Sequence, residues 1–249
     1  MDKQYFKSLV GLVALTFCPT TIALSGWQLA KAQSNYGSQV ANIRVAVEFP
    51  AGPSRDATGR TSGGGTRGDS CVIEKTIGLT ALMPGDNVGT TATTEPTLFV
   101  YVPKNTAESA ELVVIDEEGN PVYSNTFAIS NAYGIVKVDL PKDAGLTSGK
   151  EYIWQFALVC DLSDRAADKY VQGMLKPVEL TNELQSRLRE ATPLKQAQLY
   201  AEAGIWNETL ITLADLRDSN PTEWEELLDS VGLREISSEP FSSCCSLEN

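Results

Sequence analysis

The sequence contains no histidine among its 249 residues. Histidine is the usual general base of serine and cysteine hydrolases, and it is the commonest protein ligand for zinc and other transition metals. Its absence excludes Ser-His-Asp and Cys-His catalysis and removes the main route to a transition-metal centre. No Ser-x-x-Lys sequence stands at a predicted helix start either. We therefore expect no catalytic residues, no enzyme activity and no cofactor.

Basic residues are also scarce. The chain has 20 Lys and Arg against 32 Asp and Glu, which gives a formal net charge of −12. Nucleic acids and anionic membrane surfaces are bound by clustered Lys and Arg, so this composition argues against both as partners. Cationic and neutral partners are compatible with it. The apolar content of 42% is that of a globular chain able to bury a core.

The long uncharged run of this chain lies at its N-terminus. Lys3 and Lys7 precede an uncharged run at 8–30, and Ala30-Lys31-Ala32 forms an A-x-A cleavage site. This pattern predicts a signal peptide at 1–32, export to the periplasm or cell envelope, and no membrane insertion after cleavage. The alternative is an uncleaved N-terminal membrane anchor, because an uncharged run of this length can span a bilayer.

The cysteines after the predicted signal peptide are Cys71, Cys160, Cys244 and Cys245. Export places them in an oxidising compartment, where more than one disulfide pairing is possible. We favour Cys71 with Cys160, because both adjoin the predicted sheet. Cys244 and Cys245 are neighbours in a polar tail, where a bond between them is strained. The alternative is a buried free thiol at each site.

The strongest strand signal in the chain covers residues 152–160. Aromatic and aliphatic residues occupy both alternating faces of this stretch. A period of two predicts a strand, and apolar character on both faces predicts an interior one. Just before it, Leu146, Gly149 and Tyr152 have the spacing of the tyrosine corner of immunoglobulin-like sandwiches, in which the tyrosine hydroxyl fixes the preceding loop.

Other short strands stand before and after this one, at regular intervals and with Pro or Gly between them. They are predicted at 79–83, 97–102, 110–115, 122–129, 135–140 and 169–178. About seven strands in this arrangement are typical of an immunoglobulin- or fibronectin type III-like β-sandwich, which we place at 71–179. Residues 33–70 are predicted to form a flexible Gly/Arg-rich segment, with a candidate edge strand at 43–49.

After residue 180 the apolar period becomes helical, with Pro193 expected to break or kink the stretch. Residues 197–217 resemble one tetratricopeptide-like helical hairpin. A lone repeat cannot bury its own apolar face, so we predict that the helical region at 180–235 packs on the sandwich. Trp206 at the turn, together with Leu210, forms the predicted partner surface. Residues 236–249 are predicted to be a disordered tail.

The acidic loop after the central strand is the strongest candidate for a binding site. Its oxygen donors are Asp161, Ser163, Asp164 and Asp168. Ca²⁺ takes about six to eight oxygen ligands, and these side chains would supply part of such a set. The alternative is that Arg165 pairs with Asp164 or Asp168 and pins the loop, while the other carboxylates stay in water.

A second candidate site lies in the glycine-rich stretch. Gly64, Gly65, Thr66 and Arg67 are predicted to form an anion-binding nest, in which successive N–H groups and a guanidinium converge on a phosphate or carboxylate. The stretch lacks the Gly-Lys-Ser/Thr ending of a phosphate-binding loop. This lack favours the alternative, a flexible crossing that needs glycine for positive φ.

Several segments form a combination that is more specific than any of them alone. They are 63–68 with Cys71, 79–84, 96–103, the strand end Cys160-Asp161, 164–168 and the helices at 200–213. Together these segments resemble the cyanobacterial domain of unknown function 928 family. The resemblance covers residues 43–233 and implies an exported protein of unknown activity with no assigned catalytic residues.

Two functions follow as hypotheses. The first is a non-enzymatic interaction module of the cell envelope, which holds an envelope protein through the sandwich or the helical hairpin. The alternative is a carbohydrate- or calcium-dependent ligand-binding sandwich, in which Trp and Tyr side chains supply a stacking face. Several exposed rings on one face would favour sugar, whereas one apolar patch near Trp206 would favour protein.

Overall fold

The computed structural model describes most of the chain after the predicted signal peptide. The described residues are 46–50, 71–73, 76–129 and 132–245. All of them belong to one unit of the chain, Arg44–Asn249. The predicted signal peptide lies outside these residues, as does most of the predicted Gly/Arg-rich segment.

The protein is mainly β, with two sheets and four C-terminal helices. The strands of the described residues are β1 Thr80–Ala81, β2 Val88–Thr91, β3 Thr97–Val102, β4 Ser109–Ile115, β5 Pro121–Ala128, β6 Gly134–Asp139, β7 Tyr152–Val159, β8 Lys169–Pro177 and β9 Phe241–Ser242. One sheet has the order β1-β3-β6-β9, and the other has the order β2-β8-β7-β4-β5. Pairing is antiparallel except between β2 and β8 and between β6 and β9.

The burial pattern of single strands shows which sheet faces are covered. Along β4, buried and partly exposed residues alternate strictly, as in a strand with one face in the core and one toward solvent. Along β3, every residue from Leu98 to Val102 is buried. The four-stranded sheet is therefore covered on both faces at β3, whereas the five-stranded sheet at β4 is covered on one.

The first apolar cluster contains side chains from both sheets. It includes Leu98 and Val100 of β3, Leu112 of β4, and Trp154 and Phe156 of β7. Trp154 and Phe156 are fully buried, and β7 lies between β8 and β4, as predicted for an interior strand. The expectation that both of its faces are covered is only partly met, because Ile153 on the other face is 44% exposed. The two sheets thus share one core through the faces that they turn toward each other.

The loop before β7 has the hydrogen bond that the tyrosine-corner spacing predicts. The hydroxyl of Tyr152 accepts a bond from the N–H of Thr147 at 3.0 Å. Gly149 has a φ of +85°, a conformation that favours glycine, and its N–H donates to the carbonyl of Pro177 at 2.7 Å. The loop is held at the start of β7 by these two bonds.

The four helices are α1 Asn182–Glu190, α2 Pro193–Glu202, α3 Trp206–Asp215 and α4 Pro221–Ser230. The Thr181 and Thr192 side chains accept N–H bonds at the starts of α1 and α2. Pro193 separates these two helices, because it is the first residue of α2, where its missing N–H removes no helical bond. None of the described helices combines the length and apolar character needed to cross a bilayer.

The helices cover the outer face of the four-stranded sheet. A second apolar cluster joins Phe99 and Tyr101 of β3 to Trp206 and Leu210 of α3 and to Trp224 of α4. Alternate residues of β3 thus enter two different cores, one against the other sheet and one against the helices. A sheet with helices on one side and a second sheet on the other has no free face at this strand.

Two segments differ from the strand prediction. The candidate edge strand at 43–49 is not formed in its described part, because residues 46–50 are irregular. Val47 is instead buried in the helix cluster, and the ring of Phe49 packs edge-on against Trp206 at 4.9 Å. Strand β2 was not predicted, because its sequence Val-Gly-Thr-Thr has no apolar alternation.

The described part of the C-terminal tail is also ordered differently from its prediction. Residues of β9 pair with the first residues of β6, so the tail adds a short strand to the four-stranded sheet. The Arg217 guanidinium donates to the carbonyls of Ser237 and Glu239, each at 2.7 Å. The same guanidinium lies 5.2 Å from the centre of the Phe241 ring, and Cys245 is buried in the first apolar cluster. The described residues 236–245 therefore pack on the rest of the protein, unlike the disordered tail predicted from residue 236.

Candidate functional site

Three connections between strands meet at one end of the two sheets. They follow β3, β5 and β7, and the antiparallel registers of these strands place the connections together. The segment at 71–73 joins them, because Val72 forms a bridge with Asn105. We call the described residues of this region the loop end: 71–73, 103–108, 132–133 and 160–168.

A disulfide between Cys71 and Cys160 fastens the loop end. It joins the segment before β1 to the residue after β7, across a sequence separation of 89, and confirms the pairing predicted from the sequence. Backbone bonds extend the connection: the N–H of Thr106 donates to the carbonyl of Cys71, and that of Ile73 donates to the carbonyl of Lys104, each at 2.8 Å. Three chain segments of the loop end, 71–73, 103–108 and 160–168, are therefore held together by covalent and backbone bonds.

The neighbouring residues Cys244 and Cys245 are also joined by a disulfide. Cys245 has a φ of +66°, and its side chain is buried in the core between the sheets. The burial gives the pair a packing role in addition to the covalent one.

Arg165 pins the acidic loop. Its Nε donates to Asp168 Oδ2 at 2.5 Å, and its Nη2 donates to Glu111 Oε2 on β4 at 2.7 Å. These two carboxylates, Glu111 first, raise the pKa of Arg165. Asp168 also accepts the N–H of Cys160 through Oδ1 at 3.0 Å. The loop thus follows the alternative in which Arg165 pairs with Asp168.

The remaining oxygen donors of the loop form bonds with nearby residues. Asp161 Oδ1 accepts both the hydroxyl and the N–H of Ser163, each at 2.7 Å, and these bonds lower the pKa of Asp161. Asp164 accepts the N–H of Ala166 at 3.1 Å. The structure does not gather Asp161, Ser163, Asp164 and Asp168 around one point: in 46–50, 71–73, 76–129 and 132–245, no three His, Cys, Asp or Glu side chains form a group able to hold a metal ion.

The predicted anion-binding residues Gly64, Gly65, Thr66 and Arg67 lie outside the described residues. The predicted partner surface, Trp206 with Leu210, is not a surface in the structure, because both residues are buried. Trp206 and Leu210 are each only 1% exposed, and the indole N–H of Trp206 donates to the carbonyl of Leu82 at 3.0 Å. Periodicity marks these residues as apolar, but it does not say whether an aromatic ring at a turn faces a sheet or solvent.

Exposed apolar side chains are concentrated at the loop end. Leu162 is 82% exposed, Ile73 65% and Tyr133 47%, and these are the three highest values among the exposed large hydrophobic residues of the described chain. The ammonium of Lys104 lies 5.8 Å from the centre of the Tyr133 ring. The sequence analysis did not identify Leu162 as a candidate binding residue. The available signal was an apolar residue between Asp161 and Ser163, in a loop whose polar residues predict exposure.

A depression of about 640 Å³ lies between the loop end and the outer face of the five-stranded sheet. Its walls come from the starts and ends of three adjacent strands and from the loops that join them. The lining residues are Thr106, Glu108, Ser109, Thr126, Phe127, Ala128, Val159, Cys160, Asp161 and Leu162. The charged members of this lining, Glu108 and Asp161, are both acidic. The depression therefore favours a cationic group together with apolar surface.

A partly buried carboxylate, that of Glu208, lies elsewhere, where α3 meets β2. Glu208 Oε1 accepts the hydroxyl of Thr91 at 2.8 Å and the N–H of Ala92 at 2.9 Å, whereas its Oε2 is buried without a hydrogen-bond partner. Burial raises the pKa of Glu208 above its ordinary value, although these bonds oppose the shift. Glu208 fixes a helix to a strand and is not part of the loop end.

Comparisons with known proteins place the chain in a family. The solution structure of the fn3 domain of the human collagen alpha-1(XX) chain matches with 12% identity over 46% of this chain and 91% of that one, at a TM-score of 0.26, which is too low to carry an argument. A search of curated proteins gave no significant match. The family model Domain of Unknown Function (DUF928) matches residues 62–241. The chain therefore belongs to the DUF928 family.

Proposed function

We propose that this protein is a non-enzymatic interaction module of the cyanobacterial cell envelope, which binds a protein partner through its loop end. The observation that carries the proposal is the exposure of Leu162 and Ile73 on segments fastened by a disulfide, with Tyr133 on the loop that the Asn105 amide bonds at the Ala132 carbonyl. Exposed apolar groups that cluster in one place mark interaction sites, and binding residues commonly stand on loops held by a rigid scaffold.

The proposed architecture is a fibronectin type III-like sandwich followed by a tetratricopeptide-like hairpin formed by α2 and α3. In immunoglobulin-related sandwiches, the loops at one end carry the recognition residues. The loop end has connections of that kind: the loops after β3 and β5 cross from one sheet to the other, and the loop after β7 joins the antiparallel neighbours β7 and β8. The helices have a different role in this proposal, because their apolar residues are used against the four-stranded sheet.

Export is the second part of the proposal. The N-terminal pattern is that of a signal peptide, and two disulfides are expected in an oxidising compartment. The uncleaved N-terminal anchor remains the alternative for the same segment. In both cases the folded part of the chain lies outside the cytoplasm, where the partner is an envelope protein.

The carbohydrate alternative receives less support from the aromatic residues. Stacking on sugar needs several exposed rings on one face. In the part of the chain that the structure describes, the large aromatic residues classed as exposed are Tyr133 and Phe241. Phe241 lies beside the Trp224 ring and the Arg217 guanidinium, away from the acidic depression. We therefore favour a protein partner.

Site-specific photo-crosslinking in the producing cell tests the proposal. A photoreactive amino acid at Leu162 or Ile73 should give one defined adduct in the envelope fraction, while the same group at the exposed Glu190 of α1 should not. The partner, once identified and purified, should bind the Leu162→Asp/Ile73→Asp protein at least about tenfold more weakly. Equal adducts from all three positions, or unchanged affinity, would overturn the proposal.

A further inference from the structure

The free edges of the two sheets differ in length and protection. In the described chain, β1 and β9 are edge strands of two residues each. Edge strand β2 is covered by the turn between α2 and α3: the Thr90 hydroxyl bonds the Gly204 carbonyl and accepts the N–H of Trp206. The remaining edge strand, β5, has eight residues and, among the described residues, pairs only with β4.

Strand β5 also lacks the usual devices that protect an edge. Natural edge strands commonly carry Lys, internal proline or bulges, which prevent pairing with another chain. The sequence of β5, Pro-Val-Tyr-Ser-Asn-Thr-Phe-Ala, has no charged residue, and its proline stands at the first position. The register shift of the β4–β5 pair lies at Val114/Ile115, opposite the start of β5, so the stretch from Tyr123 to Ala128 is regular. The short 3-10 helix Lys142–Ala144 contacts β5, whereas Ser124, Thr126 and Ala128 are exposed.

The pairing pattern shows which backbone groups of β5 point outward. The N–H of Ile129 donates to the carbonyl of Glu108, and hydrogen-bonded pairs alternate along an antiparallel ladder. With the observed register, the outward groups belong to Ser124, Thr126 and Ala128. The N–H of Thr126 donates to its neighbour's side chain, Asn125 Oδ1, at 2.9 Å, which agrees with an outward direction.

The acidic depression lies at the C-terminal end of β5, next to the residues whose backbone groups point outward. Thr126, Phe127 and Ala128 are part of its lining, together with Glu108 and Asp161. An added strand along β5 therefore passes directly beside the depression. Side chains of a strand alternate between faces, so one of them would enter the depression while its neighbours stay outside.

We propose that the partner's binding element is an extended segment that adds to β5 as a further strand and places a Lys or Arg side chain in the depression lined by Glu108 and Asp161. Strand addition supplies main-chain hydrogen bonds, and the side-chain depression supplies specificity. The two carboxylates supply charge complementarity to the cation. This inference deepens the proposed function, on which it rests, by naming the chemistry of the partner.

A linear peptide library displayed on phage and selected on the full chain tests the sequence preference. The enriched peptides should carry Lys or Arg with apolar residues at alternate positions. The binding constant of one synthetic selected peptide is then measured by fluorescence anisotropy. Enrichment of acidic or uncharged peptides, or of none, would overturn the inference.

Variants of the edge test the mode of binding. Ser124→Pro removes an outward N–H without touching a bond to β4, and it should weaken peptide binding at least about tenfold. Ser124→Ala keeps the N–H and is the matched control, expected to bind as the parent does. Thermal melts check that the proline variant is folded. Equal binding by both folded variants would contradict strand addition.

Variants of the depression test the charge. Glu108→Gln combined with Asp161→Asn keeps the side-chain shape and one acceptor oxygen at each position but removes both charges, and it should weaken peptide binding about tenfold at low salt and less at high salt. The matched control is Glu118→Gln in the turn between β4 and β5, which is exposed and outside the lining. Equal affinities for parent and double variant would overturn the cationic assignment.

The Ser124→Pro variant also distinguishes a failure of this inference from a failure of the proposed function. If Ser124→Pro leaves the crosslinked adduct from Leu162 unchanged in cells, the loop end binds a partner without strand addition, and only the inference fails. Sedimentation of the purified chain tests a second copy as the occupant. Self-association that Ser124→Pro abolishes would assign the edge to a second copy and overturn the partner segment proposed here.

Discussion

The two sheets of this protein differ in how much of their surface the rest of the chain covers. In β3, Phe99 and Tyr101 pack against the helices, while Leu98 and Val100 pack against the other sheet. In β4, alternate residues are partly exposed, and Ile153 of the neighbouring β7 is 44% exposed. The helices protect one sheet completely at its centre and leave the outer face of the other in contact with solvent.

Because of this difference, we expect the helix-covered side to determine stability and the five-stranded side to determine binding. The helix-covered side holds Trp206 and Trp224, each 1% exposed, so substitutions there should cost stability. The five-stranded side holds the open edge of β5, the acidic depression and Leu162. Substitutions of exposed side chains on that side should change binding more than stability, whereas the disulfide beneath them contributes to stability.

The disulfide of the loop end should give the largest effect. Replacing both Cys71 and Cys160 by Ser should lower the free energy of unfolding by about 4 to 5 kcal/mol on the chain-entropy account, because it frees a long loop of the unfolded chain. Urea melts measure the change, and mass mapping of unreduced peptides from the parent should show Cys71 joined to Cys160. A free Cys160 thiol in protein from the periplasm would contradict the fold of the loop end.

On the helix-covered side, Trp206→Ala should lower the free energy of unfolding by about 3 to 5 kcal/mol. The ring is 1% exposed, its N–H bonds the Leu82 carbonyl, and Phe49 packs against it. Urea melts with Tyr133→Ala as the exposed aromatic control measure the difference. A Trp206 loss as small as that of the control would show that the helices do not stabilise the four-stranded sheet.

Where α3 meets β2, the partly buried Glu208 predicts that stability depends on pH. Its pKa is raised above the ordinary value of 4.5, so the folded state keeps the proton to higher pH than the unfolded state does. The contribution of Glu208 is therefore most favourable below this value and is lost as pH rises through the folded pKa. The free energy of unfolding of the parent, relative to that of Glu208→Gln, should fall as pH rises. The fall should be smaller than the stability that Trp206→Ala removes. If the free energies of unfolding of the parent and of Glu208→Gln change with pH in parallel from acid to neutral pH, the prediction is wrong.

The smallest effect is expected at Leu162. Its side chain is 82% exposed, so Leu162→Ser should change the free energy of unfolding by less than about 0.5 kcal/mol. The same substitution should weaken binding of the crosslinked partner. A large loss of stability measured by urea melts would place Leu162 in a packing role and remove it from the proposed binding surface.

The parts of the fold predicted from the sequence are those in which local pattern and global packing agree. The alternation at 152–160 predicts β7, and the spacing that ends at Tyr152 predicts the bond to Thr147. Cys71 and Cys160 adjoin predicted strands, so their pairing could also be predicted. In these places, the local preference of each residue and its tertiary contacts favour the same structure.

The parts that were missed depend on contacts distant in sequence. Strand β2 has no apolar alternation, and it is held by pairing with β8 and by bonds to α3 through Thr90 and Thr91. Trp206 looked like a surface residue because a turn does not reveal what packs over it. The acidic loop looked like a calcium site because the sequence does not show that Arg165 reaches Glu111 on another strand.

Amide hydrogen exchange of β5 tests the central claim most directly. In the free protein, the outward N–H groups of Ser124 and Ala128 should exchange rapidly, because the ladder leaves them without a strand partner in the described chain. Binding of the crosslinked partner, or of the selected peptide, should slow both at least about tenfold. Unchanged exchange at both residues, with new protection on the helices instead, would contradict the account.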